Sequence, residues 1–137
     1  GWTALSQRFG ALPFADLFEP AIRYARDGFA VSPVIAAKWA LAVNVLPRDL
    51  GFAEHFMPHG RSPYVGERFA NPNLAATLEA IAQEGQAWLY ESAVTQRLCD
   101  WMNERGGLMS PEDFAAYLKQ DRANAERVVR ESGLQAQ

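Results

Sequence analysis

The sequence predicts a mostly α-helical chain. Apolar residues recur three and four positions apart in successive stretches, serine or asparagine followed by proline marks several helix starts, and period-two alternation is almost absent. There are no internal repeats and no low-complexity tracts.

Each segment follows from its local signals. Trp2, Leu5 and Phe9 fall at helical spacing, and Gly10 follows at the place of a left-handed cap. Pro13 opens a second helix whose Phe14, Leu17, Phe18, Ala21, Ile22 and Ala25 form one stripe, ending at Arg26-Asp27-Gly28. Pro20 lies inside that stripe, so a kink or a junction between two short helices is expected near Glu19. Ser32-Pro33 starts a third helix, and Val34, Ile35, Ala37, Trp39, Leu41, Ala42, Val45 and Leu46 make it apolar on most faces, which predicts burial. From Pro47 to Phe69, Pro47, Gly51, Pro58, Gly60, Pro63 and Gly66 punctuate a long loop with at most one helical turn, around Ala53 to Met57. A loop of that length in a compact domain needs a function or the support of a neighbour.

Asn71-Pro72 restarts the helical pattern, with Leu74, Leu78, Ile81 and Ala82 on one face and Gly85 as the stop. Trp88-Leu89-Tyr90 is short and reads as extended. Ser92 caps a helix carrying Val94, Leu98, Trp101 and Met102, and Arg105-Gly106-Gly107 ends it. Ser110-Pro111-Glu112-Asp113 combines a cap, a first-turn proline and two acids at the positive helix end, ahead of Phe114, Tyr117 and Leu118. From Lys119 to Gln137 charge dominates, Val128, Val129 and Leu134 are the only large apolar residues, and a solvated helix that frays is expected.

Composition narrows the function classes. The chain has 137 residues, 49% hydrophobic and 21% charged, enough apolar content for one folded domain. Sixteen acidic against thirteen basic residues give a net charge of −3, which offers no field for a phosphate polymer, so nucleic acid is not an expected partner. A single cysteine, Cys99, makes neither an intrachain disulfide nor a thiolate metal cluster, and fits an exported or a cytoplasmic setting. No apolar run approaches the roughly 18–20 residues of a membrane-crossing helix. The chain opens in mid-pattern at Gly1-Trp2-Thr3, without an initiator methionine or a leader, and reads as processed or as a piece of something longer.

The residues that could carry chemistry each have a plainer reading. A threonine nucleophile needs a neighbouring base or its own free amine; Thr3 would need cleavage after Trp2 to gain that amine, and Thr77 and Thr95 lie within predicted helices, where the hydroxyl bonds back to the preceding turn. His55 and His59, with Glu54 beside them, have the spacing of a helical zinc pair, but Pro58 breaks the helix that would aim them together. Cys99, between Leu98 and Trp101-Met102, reads as a small buried hydrophobe. Glu112 and Asp113 suit a general acid/base pair by type, yet first-turn charges explain them. Arg61 and Arg68 are the weak candidates for an anionic ligand, with Glu67 the expected local partner of an arginine there. Glycine spacings of a phosphate loop do not occur, and no cofactor or metal site is predicted.

Several stretches resemble one family, the large subunit of the γ-glutamyltransferases (γ-glutamyltranspeptidases) of the N-terminal-nucleophile hydrolases. Residues 1–33, GWTALSQRFGALPFADLFEPAIRYARDGFAVSP, are similar to a helical segment of that family almost residue for residue. Pro58 to Phe69 resembles its GR-x-P-x-x-GE-x-F loop, Asn71 to Gly85 its NP-x-LA-x-TL-x-x-IA-x-x-G helix, and Gly106 to Tyr117 its GG-L-x-x-x-D-[LF]-A-x-Y segment. Tyr90 stands where the family has an aromatic-Tyr pair. Glu91-Ser92 replaces the usual residue-plus-glycine, and from Lys119 the sequence departs from the family pattern, so the resemblance divides the chain into 1–118, a helical large-subunit segment, and 119–137, a charged tail.

The resemblance implies γ-glutamyl transfer or hydrolysis, as of glutathione, on an αββα core. In such enzymes a precursor cleaves itself, and the new N-terminal threonine of the small subunit attacks the γ-glutamyl amide with its own amine as base. The family's Thr-Thr-His setting comes after this region, and its arginine for the substrate's α-carboxylate comes before it. No position here matches either, so no catalytic or substrate-binding residue is assigned to this chain. Some relatives are cephalosporin or glutaryl acylases. The expectation is therefore a catalytically incomplete part of such an enzyme, partnered by the small subunit and the rest of the large subunit. The alternative is a stand-alone helical binding or assembly module derived from one.

Overall fold

A computed structural model describes residues 2–46 and 51–131, with the Trp2 side chain left aside. The expectations that rest on Pro47 and Leu134 lie outside the described residues. The chain forms two compact units, one of residues 1–19 and 78–137, the other of residues 20–77.

In the first unit, α1 (Trp2–Phe9) ends where the Gly10 N–H donates to the Ser6 carbonyl oxygen at 2.8 Å. Gly10 is not in the left-handed conformation expected of it. A Cβ at this position would collide with the Ser6 carbonyl oxygen, so the glycine answers a close approach and not a dihedral requirement. A 3-10 helix (Phe14–Phe18) follows, and α2 (Glu19–Asp27) begins directly after it, which places the proline-driven junction at Glu19.

The later helices of this unit are α6 (Ala87–Tyr90), α7 (Ala93–Asn103) and α8 (Pro111–Glu131), which pack on one another, and α8 also meets α1. Trp88-Leu89-Tyr90 is helical, not extended as the sequence suggested. A stretch this short takes its conformation from what it packs on, here α7 and α8. Ser92 Oγ accepts from the Val94 N–H at 3.1 Å and caps α7, and left-handed Gly106 (φ 85°) closes it. At the start of α8, Asp113 Oδ2 accepts from the Ser110 N–H at 2.9 Å while Ser110 Oγ accepts from the Asp113 N–H at 3.3 Å, a reciprocal capping box with aspartate in the glutamate place. The helix runs unbroken through Leu118-Lys119, and it buries Val129 in the stretch the sequence reads as solvated.

In the second unit, β1 (Phe29–Ala30) pairs antiparallel with β2 (Arg68–Phe69), Phe29 opposite Phe69. Two-residue strands leave no alternation to detect, so neither was expected. Around them stand α3 (Pro33–Val45) and α4 (Phe52–Phe56), and α5 (Pro72–Glu84) leads out. Val31, Ala36 and Phe69 form the buried centre with Trp39 against it. The Trp39 ring meets Phe69 edge-on at 4.6 Å, Phe56 stacks on Phe69 at 6.3 Å, and Trp39 Nε1 donates to the Phe56 carbonyl at 2.9 Å. Asn71 links α2 to α5: its N–H donates to the Ala25 carbonyl at 2.7 Å and its Oδ1 accepts from the Leu74 N–H at 3.0 Å. Ser32 caps α3 as expected. The expected burial of that helix is not met among the described residues: only Ala36 and Val43 are buried, whereas Leu41 is 70% and Val45 79% exposed.

The long loop is held by one staple. Glu67 accepts from Arg61 Nη1 at 2.8 Å, Arg61 Nη2 at 3.3 Å and the Tyr64 N–H at 2.8 Å, and the Arg61 guanidinium lies 3.8 Å from the Tyr64 ring centre. The turn closes through Gly66 (φ 79°), and Val31 joins it on both sides, donating to the Glu67 carbonyl at 2.9 Å and accepting from the Gly66 N–H at 2.8 Å.

Two predictions follow from these contacts. At Gly28 (φ 81°) a Cβ would lie 2.7 Å from the Phe69 carbonyl oxygen, so Gly28→Ala combines strain with collision. It is expected to cost about 1–3 kcal/mol and to speed amide hydrogen exchange at Val31 and Asn71 by roughly ten- to a hundredfold. Gly66→Ala, with open space around its Cβ, carries the dihedral cost alone and should change exchange less. The second concerns Glu67, whose carboxyl is held below the ordinary glutamate range by its hydrogen bond with Arg61, then by the Tyr64 N–H. A depressed folded-state value means that the staple's contribution is complete above the ordinary value of about 4.3 and is lost as pH falls through the folded one. Carbon-detected NMR titration should find Glu67 protonating below the ordinary glutamate value, and Arg61→Ala should return it towards that value.

Candidate functional site

The structure places the residues singled out by sequence in separate surroundings. Thr77 Oγ1 donates to the Asn73 carbonyl at 3.0 Å, one turn back along α5. Thr95 is buried, and its hydroxyl donates at 2.6 Å to the Leu89 carbonyl of α6, so it ties two helices together and does not bond within its own. Cys99, 1% exposed on α7, is packed as a small apolar group. Burial pushes its thiol up from the ordinary value, and Asp100, Asp113 and Glu112 push the same way, the opposite of what activates a thiolate.

His55 closes α4, with its Nδ1 3.5 Å from Asn73 Nδ2, while His59 sits beyond Pro58 in a left-handed conformation (φ 60°). The break at Pro58 therefore puts the two imidazoles on differently directed backbone. Among the described residues no three His, Cys, Asp or Glu side chains gather in a group able to hold a metal ion. Neither arginine candidate is open to an anion. Arg61 is engaged by Glu67, with its guanidinium pushed further up by that bond, and Arg68 Nη1 donates to the carbonyls of Asp27 and Gly28 at 2.9 and 3.3 Å, capping the end of α2. Asp113 serves the cap of α8, and Glu112 borders a shallow recess beside Tyr90, Glu91, Ser92 and Gln96.

A further concavity lies wholly within the unit of residues 1–19 and 78–137. It is a half-open cavity of about 490 Å³ whose wall combines Thr3 of α1, Phe14 and Phe18 of the 3-10 helix, Leu78 and Ile81 of α5, Gln86, Leu89 and Tyr90 around α6, and Tyr117, Leu118 and Asp121 of α8. Phe14 and Phe18 meet edge-on at 4.9 Å, and Thr3 is the only one of the three threonines on this wall. Sequence reading missed the cavity, since its residues come from five stretches and its large apolar members, such as Phe14, Phe18, Leu78 and Ile81, are each accounted for locally as part of a helical stripe. The one local trace is the four-residue spacing of Tyr117 and Asp121, which sets a ring and a carboxylate on the same face of α8. No described helix is long and apolar enough to cross a membrane.

Comparison with known proteins identifies the chain's relatives. The family model described as gamma-glutamyltranspeptidase matches residues 1–135. The chain is 35% identical over 111 residues to glutathione hydrolase 3 of Arabidopsis thaliana, covering 81% of this chain and 17% of that protein. It is 37% identical over 117 residues to the acylase ACY 1 proenzyme of Pseudomonas sp. (strain SE83), covering 85% of this chain and 21% of the relative. The crystal structure of the Helicobacter pylori gamma-glutamyltranspeptidase superposes with a TM-score of 0.77 at 26% identity, over 83% of this chain and 33% of that one. The chain thus spans about a fifth of the length of the curated relatives it matches. The extent of the family match, carried by the same helices and turns that the structure contains, establishes that this mostly helical chain belongs to the gamma-glutamyltranspeptidase family.

Proposed function

We propose that the chain is the helical part of the large subunit of a γ-glutamyltransferase-like enzyme, and that it supports the catalytic core without supplying the nucleophile. The observation that carries this reading is the coverage: the family match runs nearly end to end here, yet corresponds to about a fifth of the relatives' length. Supporting it, Thr77, Thr95, Cys99 and the two arginines are each committed to packing, capping or a local pair. Apolar α3, exposed along Val34, Leu41 and Val45, has the surface of a helix meant for a neighbour.

In this reading the partners are the small subunit and the other large-subunit segments of one precursor, consistent with relatives described as proenzymes. The whole protein assembles an αββα core and transfers or hydrolyses γ-glutamyl groups, as from glutathione. The division into residues 1–118 and a charged stretch 119–137 is one of composition, since the family match continues to residue 135 and α8 continues to Glu131. A threonine-led small subunit provides the attacking hydroxyl and its amine the base, and backbone donors stabilise the oxyanion.

The test compares this chain with the longest open reading frame that contains it, each assayed for chromophore release from a γ-glutamyl anilide. The chain by itself is expected to be inactive, to bind ANS and to lose structure without a sharp transition, while the longer product processes itself and turns over. Turnover by this chain that disappears in Thr3→Ala would overturn the proposal. So would a sharp cooperative melt of a defined species with no longer frame around it, the behaviour of a stand-alone module.

A further inference from the structure

We infer that Asp27-Gly28 is a latent site of spontaneous succinimide and isoaspartate formation, held closed in the folded unit of residues 20–77 by Arg68. In an Asp-Gly pair the second residue has no side chain to hinder its backbone nitrogen from attacking the aspartyl carboxyl carbon. A bond forms from the Gly28 nitrogen to Asp27 Cγ, and the amide proton and the carboxyl hydroxyl leave together as water. Return of that water opens the five-membered ring at either carbonyl. One product is the original aspartate. The other, isoaspartate, carries the main chain through the Asp27 side-chain carboxyl at unchanged mass. No reactant but water takes part.

Asp27 is exposed as the last residue of α2, so its carboxyl is accessible. The fold opposes the reaction at the backbone. Ring closure requires the Asp27–Gly28 peptide to rotate away from its helical orientation. That peptide is held at both ends: the Gly28 N–H donates to the Tyr24 carbonyl at 3.0 Å, and the Asp27 carbonyl accepts from Arg68 Nη1 at 2.9 Å. Arg68 Nη1 also reaches the Gly28 carbonyl at 3.3 Å and fixes the next peptide. Arg68 is 41 residues from Asp27 and stands on β2 opposite Ala30, so the clamp exists only while β1 and β2 are paired. Gly28 itself is buried, with the Phe69 carbonyl oxygen 2.7 Å from where a Cβ would stand. A junction too tight for a Cβ has no room for the extra main-chain carbon of isoaspartate, so the modification, once formed, keeps the clamp from closing again.

The test ages the product of the longest open reading frame that contains this chain at neutral pH and physiological temperature. Isoaspartate at residue 27 is measured by electron-transfer mass spectrometry of proteolytic peptides, a readout at one peptide that does not depend on γ-glutamyl turnover. The folded protein is expected to form it about a hundredfold more slowly than the same protein in urea. Arg68→Ala should accelerate formation by about tenfold. Arg68→Met, which keeps the stem against Gly28 and removes every donor, should do the same. Arg61→Ala, which loosens the same loop but leaves both bonds to the Asp27–Gly28 peptide, should accelerate it less. Equal rates in the folded protein and in urea overturn the inference, as does no formation in urea. A wild-type rate in either Arg68 variant of native circular dichroism overturns it too, as does a greater acceleration by Arg61→Ala than by Arg68→Met.

Discussion

Phe69 is the side chain on which the unit of residues 20–77 depends. Its ring is met by Phe29, Trp39 and Phe56, which come from a strand and two different helices, and its backbone is half of the only strand pairing described. Its carbonyl oxygen lies so close to Gly28 that the end of α2 tolerates no side chain there. One residue therefore joins the end of α2, the face of α3 and the return of the loop. Aromatic packing of this kind is effective in a small unit because each ring buries a large area for few ordered torsions.

The loop before Phe69 shows how an irregular segment becomes well defined. Beside its buried Met57 and Pro63 it is held by a bidentate ion pair, a cation over a ring and a carboxylate that accepts from the Tyr64 amide. These interactions link Arg61, Tyr64 and Glu67, and the flanking backbone is tied to Val31, one of the most buried residues of the protein. The same economy explains why Arg61 and Arg68 are poor ligand-binding residues. Their donors are already spent on carboxylate and carbonyl oxygens that would otherwise be left unpaired.

Exposed apolar surface is the feature that links fold to function. Val34, Leu41 and Val45 line the outside of α3, whereas such a helix is normally buried. In the reading proposed above, in which this chain is one part of a larger enzyme, such a helix is written for a layer that another part of the protein provides.

The sequence by itself determined what is local. Helix starts at Ser32-Pro33, Asn71-Pro72, Ser92 and Ser110-Pro111, the junction at Glu19, and the stops at Gly28, Gly85 and Gly106 were legible because caps, prolines and left-handed glycines act within one turn. The family was legible for the same reason, in contiguous runs of residues. The Arg61–Glu67 pair, six residues apart, was within reach of such reading, as was the burial of Cys99. Only the tertiary structure decided the helical state of Trp88-Leu89-Tyr90, the β1–β2 pairing, the reason for Gly10, the exposure of α3 and the cavity around Asp121. Each of these is fixed by contacts between residues distant in sequence or by close backbone approaches, and neither periodicity nor capping encodes which surfaces will meet.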